Sequence, residues 1–111
     1  MKSYIPKKGD FIVVTLDPQR GHEQKGRRPA LVVSNTLFNK RTGLAIVCPL
    51  TTTDRAYPFH VAVIDNPQLK GFVMVEQVKS IDYRARQITN IGKASEALLD
   101  EVLSILDACI Y

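Results

Sequence analysis

Apolar residues come in short bursts along the first ninety positions and then change period. "DFIVVTL" (10–16) is rich in β-branched and aromatic residues and follows Gly9, which predicts a strand. "PALVVSN" (29–35) and "LAIVCPL" (44–50) predict two more, and their nearly continuous apolar character implies little solvent on either face. "PFHVAVID" (58–65) alternates instead, with Phe59, Val61 and Val63 on one side and His60, Ala62 and Ile64 on the other. "GFVMVEQV" (71–78) and "ARQITNIG" (85–92) supply a fifth and a sixth strand. The last segment differs. In "SEALLDEVLSILDACI" (95–110), Leu98, Leu99, Val102, Leu106 and Cys109 recur at spacings of three and four, while Glu96, Asp100, Glu101, Ser104 and Asp107 occupy much of the opposite face. That pattern predicts an amphipathic helix of about 22 Å. Ser95 would cap it, Glu96 would sit beside the positive end of its dipole, and its apolar face would join the core. Short strands joined by polar or Gly/Pro-containing connections, then one helix, predict a single mainly β domain over residues 1–111, a small barrel or sandwich.

Composition narrows the class. Apolar residues make up 45% of the 111 and charged residues 23%, a globular balance. Apolar runs stop well short of the roughly 18 residues a membrane span needs, and "MKSYIPKKGD" is not followed by a signal-peptide apolar region, so a cytoplasmic protein with no membrane partner is expected. Cys48 and Cys109 lie far apart with no metal-ligand spacing, so both are expected to be reduced core residues and no metal is expected. The net charge is +4, unevenly spread: residues 1–93 carry 15 Lys/Arg against 7 Asp/Glu, and residues 94–111 carry 4 acidic residues and no Lys or Arg. A basic body with an acidic end fits a polyanionic partner for the body. Charge alone fits a basic soluble protein without such a partner equally well.

Candidate chemistry gathers in two connections. Between the first two strands, residues 17–29 include "GHEQKGRRP", longer than a hairpin needs. Gly21 and Gly26 permit bends, and Pro29 fixes the start of the next strand. Arg28, next to that strand, is expected to be better anchored than Arg27 or Lys25, and an anchored guanidinium can hold two phosphate oxygens at once. The second connection is Thr51, Thr52, Thr53, Asp54 and Arg55, where a threonine hydroxyl either caps a turn or points into a site. Cutting RNA without a metal requires three things: activation of a ribose 2′-hydroxyl, neutralisation of the phosphorane and protonation of the leaving oxygen. His22 or Glu23 could perform the first and Arg28 the second. Solvated loop residues remain the plainer reading of His22 and Glu23.

These segments carry a resemblance. "GDFIVVTLDPQRGHEQKGRRPALVVS" resembles the opening of the MazF/PemK family of endoribonuclease toxins, and further matches follow in order at "FNKRTG" (38–43), "VCPLTT" (47–52), "YPFHV" (57–61), "EQVKSIDYRAR" (76–86) and the final helix. The resemblance implies an SH3-like β-barrel with added helices, forming a homodimer that binds single-stranded RNA. It also implies sequence-specific, metal-independent cleavage leaving a 2′,3′-cyclic phosphate, no cofactor, and a cognate acidic antitoxin as partner. Carried over by motif, Arg28 matches an arginine that stabilises the phosphate or acts as acid, and Thr51 a threonine placed against it. Glu23 matches a carboxylate needed in some members, and His22 a position where some relatives use histidine. Gln24, Lys25, Arg27, Thr52, Glu76, Gln77, Lys79 and Arg86 are implied RNA contacts. Some relatives place an arginine and an aspartate in the fifth strand as "R-x-D-Q". Here the stretch reads "MVEQ", with Met74 and Glu76 at those places, so that proton-transfer scheme does not carry over intact. Two competing readings are a non-catalytic SH3-like binding module and a gyrase poison of the CcdB type. The absence of tryptophan weighs against the second.

Overall fold

The computed structural model describes residues 4–16, 26–64 and 66–111. Its elements are β1 (Asp10–Leu16), β2 (Gly26–Val32), α1 (Thr36–Thr42), β3 (Leu44–Thr51), β4 (His60–Val63), β5 (Gly71–Met74), a 3₁₀ turn (Val75–Gln77), β6 (Lys79–Asp82), β7 (Thr89–Lys93) and α2 (Glu96–Ile110). The strands make one antiparallel half-barrel sheet in the order β4-β5-β3-β2-β1-β7, with β6 also paired to β3.

Both sheet faces are apolar, as the uninterrupted runs implied. Phe11, Leu31, Cys48, Leu50, Val61, Val63 and Val73 point to one side, where Leu98 and Val102 of α2 cover them. Ile12, Val14, Ala30, Val32, Ala45 and Val47 point to the other, packed with Ile81 and Tyr83. Each such side chain contributes about 1.5–3 kcal/mol by leaving water. α2 is the helix the sequence predicts: Ser95 caps it by accepting from Leu98 N, and its apolar face is core.

Four details differ from expectation. β2 starts at Gly26, three residues early, because Arg27 and Arg28 continue the ladder against Thr15 and Val14. The stretch 71–78 is not one strand: β5 ends at Met74, the 3₁₀ turn intervenes, and β6 resumes at Lys79 along the same edge of β3. The apolar pattern does not predict α1. It has only seven residues, too few for a period to show, although its signals stand in the sequence: Asn35 accepts from Phe38 N at 2.8 Å, and Gly43 takes φ +73 to donate to Asn39 O at 3.0 Å. Cys109 is exposed rather than core, in a last turn of α2 whose residues 107–110 are all exposed; Cys48 is buried as expected.

Candidate functional site

The register of three strands assembles the first part of the site. β2 and β3 pair Val32 with Val47, Leu31 with Cys48 and Ala30 with Pro49. Arg28 and Thr51 each lie two residues beyond the Ala30–Pro49 pair, one on each strand, and Arg28 faces Val14 across β1. Paired residues project to the same side, so Arg28 and Thr51 share the sheet face opposite α2. Arg28 is half-buried and Thr51 is buried. The Thr51 hydroxyl accepts from Thr53 N at 3.2 Å, which leaves its hydrogen able to donate elsewhere. Gly71 makes this position possible: it takes φ +140, and a Cβ there would lie 2.6 Å from the Thr51 carbonyl oxygen.

Thr15, at the end of β1, gathers two more cations. Its hydroxyl accepts from Arg27 Nη1 at 3.3 Å and its carbonyl from Arg86 Nη1 at 2.9 Å; Arg27 Nη1 also reaches Gln87 O at 3.3 Å. Arg27 is exposed but tied down by these bonds, and the alternation of β2 turns it to the sheet face opposite Arg28. Lys79 opens β6 opposite Val47 and so shares the face of Thr51 and Arg28. Thr52 is exposed beyond the end of β3, and Gln77 is half-buried in the 3₁₀ turn. His22, Glu23, Gln24 and Lys25 lie outside the described residues. Among the described residues, no group of three or more His, Cys, Asp or Glu could hold a metal ion, and no helix is long and apolar enough to cross a membrane.

A family described as the PemK-like, MazF-like toxin of type II toxin–antitoxin systems matches residues 7–110. The chain belongs to this family. It is 38% identical over 107 residues to the endoribonuclease toxin MazF of Escherichia coli K12, covering 96% of each chain. It is 34% identical over 109 residues to the endoribonuclease PemK of Escherichia coli, covering 94% of this chain and 81% of that one. Among solved structures, it superposes on MazF from Deinococcus radiodurans with a TM-score of 0.91 at 36% identity, over 97% of this chain and 98% of the other. A MazE–MazF complex from the same organism matches with a TM-score of 0.86 at 36% identity, over 97% of each chain.

Within this PemK/MazF framework, one corner of the site escaped sequence reasoning. His60 Nε2 lies 2.9 Å from Glu76 Oε2, with the His60 side chain 3% exposed and that of Glu76 31% exposed. Tyr57, half-exposed, packs its ring 5.0 Å from the imidazole at 55°. The turn Tyr57–Pro58–Phe59–His60 brings the two rings together, closed by His60 N donating to Tyr57 O at 3.1 Å. The alternation of 58–65 gave the available signal: it set His60 on the side away from Val61 and Val63. Met74, where some relatives carry an arginine, is fully buried, so it supplies no charge to this corner. Burial first, and then the charge of Glu76, push the Cys48 thiol up to about 12.

Proposed function

We propose that this chain is the endoribonuclease toxin of a type II toxin–antitoxin pair, cutting single-stranded RNA at a short sequence motif without a metal. Support comes from one observation above all: the alternation of β2 and β3 sets Arg28 and Thr51, distant in sequence, on one sheet face of a PemK/MazF-family chain, each two residues beyond the Ala30–Pro49 pair. A ribose 2′-oxygen attacks the adjacent phosphorus and the bond to the 5′-oxygen breaks, giving a 2′,3′-cyclic phosphate and a 5′-hydroxyl. Arg28 neutralises the charge that grows on the equatorial oxygens, and the free hydrogen of the Thr51 hydroxyl donates to one of them. His22 or Glu23 takes the proton from the 2′-hydroxyl, and the leaving 5′-oxygen takes one from solvent water, to which the base returns its own. Arg86 and Lys79 hold neighbouring phosphates, with Gln24, Lys25, Thr52 and Gln77 as further RNA contacts; Arg27, turned to the other sheet face, is left out of this set.

The MazE–MazF crystal complexes of Deinococcus radiodurans support a further reading: an acidic antitoxin segment occupies the same basic face and inhibits by excluding RNA. The active unit is a homodimer in the cytoplasm. The test is incubation of purified protein with a long single-stranded RNA in excess EDTA, beside an Arg28→Ala variant, with the cut ends mapped. Discrete cuts at a shared motif, absent from the variant, are expected. No cutting by the folded wild type would move the reading to a non-catalytic binding module.

A further inference from the structure

The corner formed by Tyr57, His60 and Glu76 has the parts of a base-reading subsite. His60 is paired with Met74 across β4 and β5, and the register of β5 with β3 carries this pairing to Pro49, on the same face as Thr51. The corner thus lies two strands and one rung from Thr51, on the order of 12 Å along the sheet surface, within the span of a few nucleotides. Glu76 is fixed through one oxygen only. Oε2 is held by His60, whereas Oε1 has no hydrogen bond among the described residues and belongs to a partly exposed side chain. A second observation points the same way. His60 Nδ1 is the buried side-chain polar atom among the described residues that lacks a hydrogen-bond partner. An imidazole kept 3% exposed with one nitrogen unsatisfied is costly for the fold, and its visible effect is to aim the Glu76 carboxylate. The half-exposed Tyr57 ring beside it offers a face on which an unstacked base can lie.

We propose that Tyr57 stacks a base near the cleavage point while Glu76, aimed by His60, accepts a hydrogen bond from that base's exocyclic amino group, so that this position of the cleavage motif excludes uracil. The proposal rests on the endoribonuclease reading above. A carboxylate is an acceptor only, so it pairs with the amino groups of adenine, cytosine or guanine; uracil has no amino group, and its N3–H lies between the O2 and O4 carbonyls, both of which repel a carboxylate. His60 is a positioning residue and does not itself touch the base.

The decisive experiment digests a random-sequence single-stranded RNA pool and sequences the ends produced by wild type and by Glu76→Gln. His60 donates to the held oxygen, so the amide carried by the Glu76→Gln variant would turn its NH2 outward and donate to uracil O4. The expected result is a wild-type motif with one uracil-excluding position, and a loss of that exclusion by about tenfold in Glu76→Gln with the other positions unchanged. His60→Ala should relax the same position, and His60→Gln, which keeps a donor toward Glu76, should restore it. Tyr57→Ala, on an exposed turn, should raise KM severalfold with little change in kcat. An unchanged uracil exclusion in Glu76→Gln overturns the proposal. So does a folded Glu76→Gln variant that cuts nowhere, because Glu76 would then belong to the reacting groups. A wild type that does not cut would instead fail the endoribonuclease reading, and this one with it.

Discussion

The Arg28–Thr51 pair and the His60–Glu76 corner lie on the same sheet face but are built by different means. The pair is main-chain geometry: neighbouring strands carry an arginine and a threonine to one sheet face, each two residues beyond the Ala30–Pro49 rung. The corner is side-chain geometry, in which a four-residue turn and a 3₁₀ turn converge on one hydrogen bond. Under the roles proposed above, the difference separates two tasks. A charge that must meet a phosphate at one place in every substrate is best fixed by the sheet. A group that chooses among bases is better placed where a side chain can be changed without disturbing the ladder.

The contrast can be broken at its strongest point with Arg28→Ala. Loss of a guanidinium from the phosphate should lower kcat by about 10²–10³, as loss of one oxyanion donor does elsewhere, while the melting temperature stays near wild type because Arg28 lies at the polar end of its strand. A variant that cuts at the wild-type rate would remove the pair from the mechanism. Next in size is Gly71→Ala. Its Cβ would meet the Thr51 carbonyl at 2.6 Å, so either β5 or the end of β3 must shift, at a cost on the order of 1–3 kcal/mol. Calorimetry should show a melting point several degrees lower, and cleavage should fall with it because Thr51 moves.

Cys48 tests the reach of the other region. With its thiol raised from 9.0 to about 12, first by burial and then by Glu76, the folded protein holds the proton where the unfolded chain would release it. The stability this contributes is complete below about pH 9 and is lost as pH rises from there toward 12. Alkaline melting curves should therefore fall more steeply for wild type than for Cys48→Ala. At neutral pH a thiol reagent should modify one cysteine, the exposed Cys109, in the native protein and two in denaturant. The smallest expected effect is that of Lys79→Ala, which should reduce the salt slope of RNA binding by about 0.7 and leave the saturated rate unaltered.

What the sequence disclosed follows the same division. β1, β3 and α2 were legible because their apolar spacing is set by the core they bury, and Arg28 and Thr51 were singled out because they adjoin the apolar runs of β2 and β3 and match the family's motifs. The anchoring of Arg27 was not, since it depends on Thr15 and Gln87, the latter sixty residues away in the chain. The break between β5 and β6 was equally hidden: "GFVMVEQVKSI" reads as one extended run, and nothing local announces that Val75–Gln77 tightens into a turn. His60 showed only as the polar side of an alternation. Its partner Glu76 lies beyond a loop whose path no local pattern dictates.

That break has a consequence for how such a protein can diversify. β5 and β6 each keep their own rungs against β3, and the turn between them is closed by a main-chain bond, Val78 N to Val75 O at 3.2 Å. Replacing the residue at its solvent side leaves every rung in place. If Glu76 reads a base as proposed, inheritance can explore new cutting preferences at that position one substitution at a time, each tried on a scaffold that keeps its ladder.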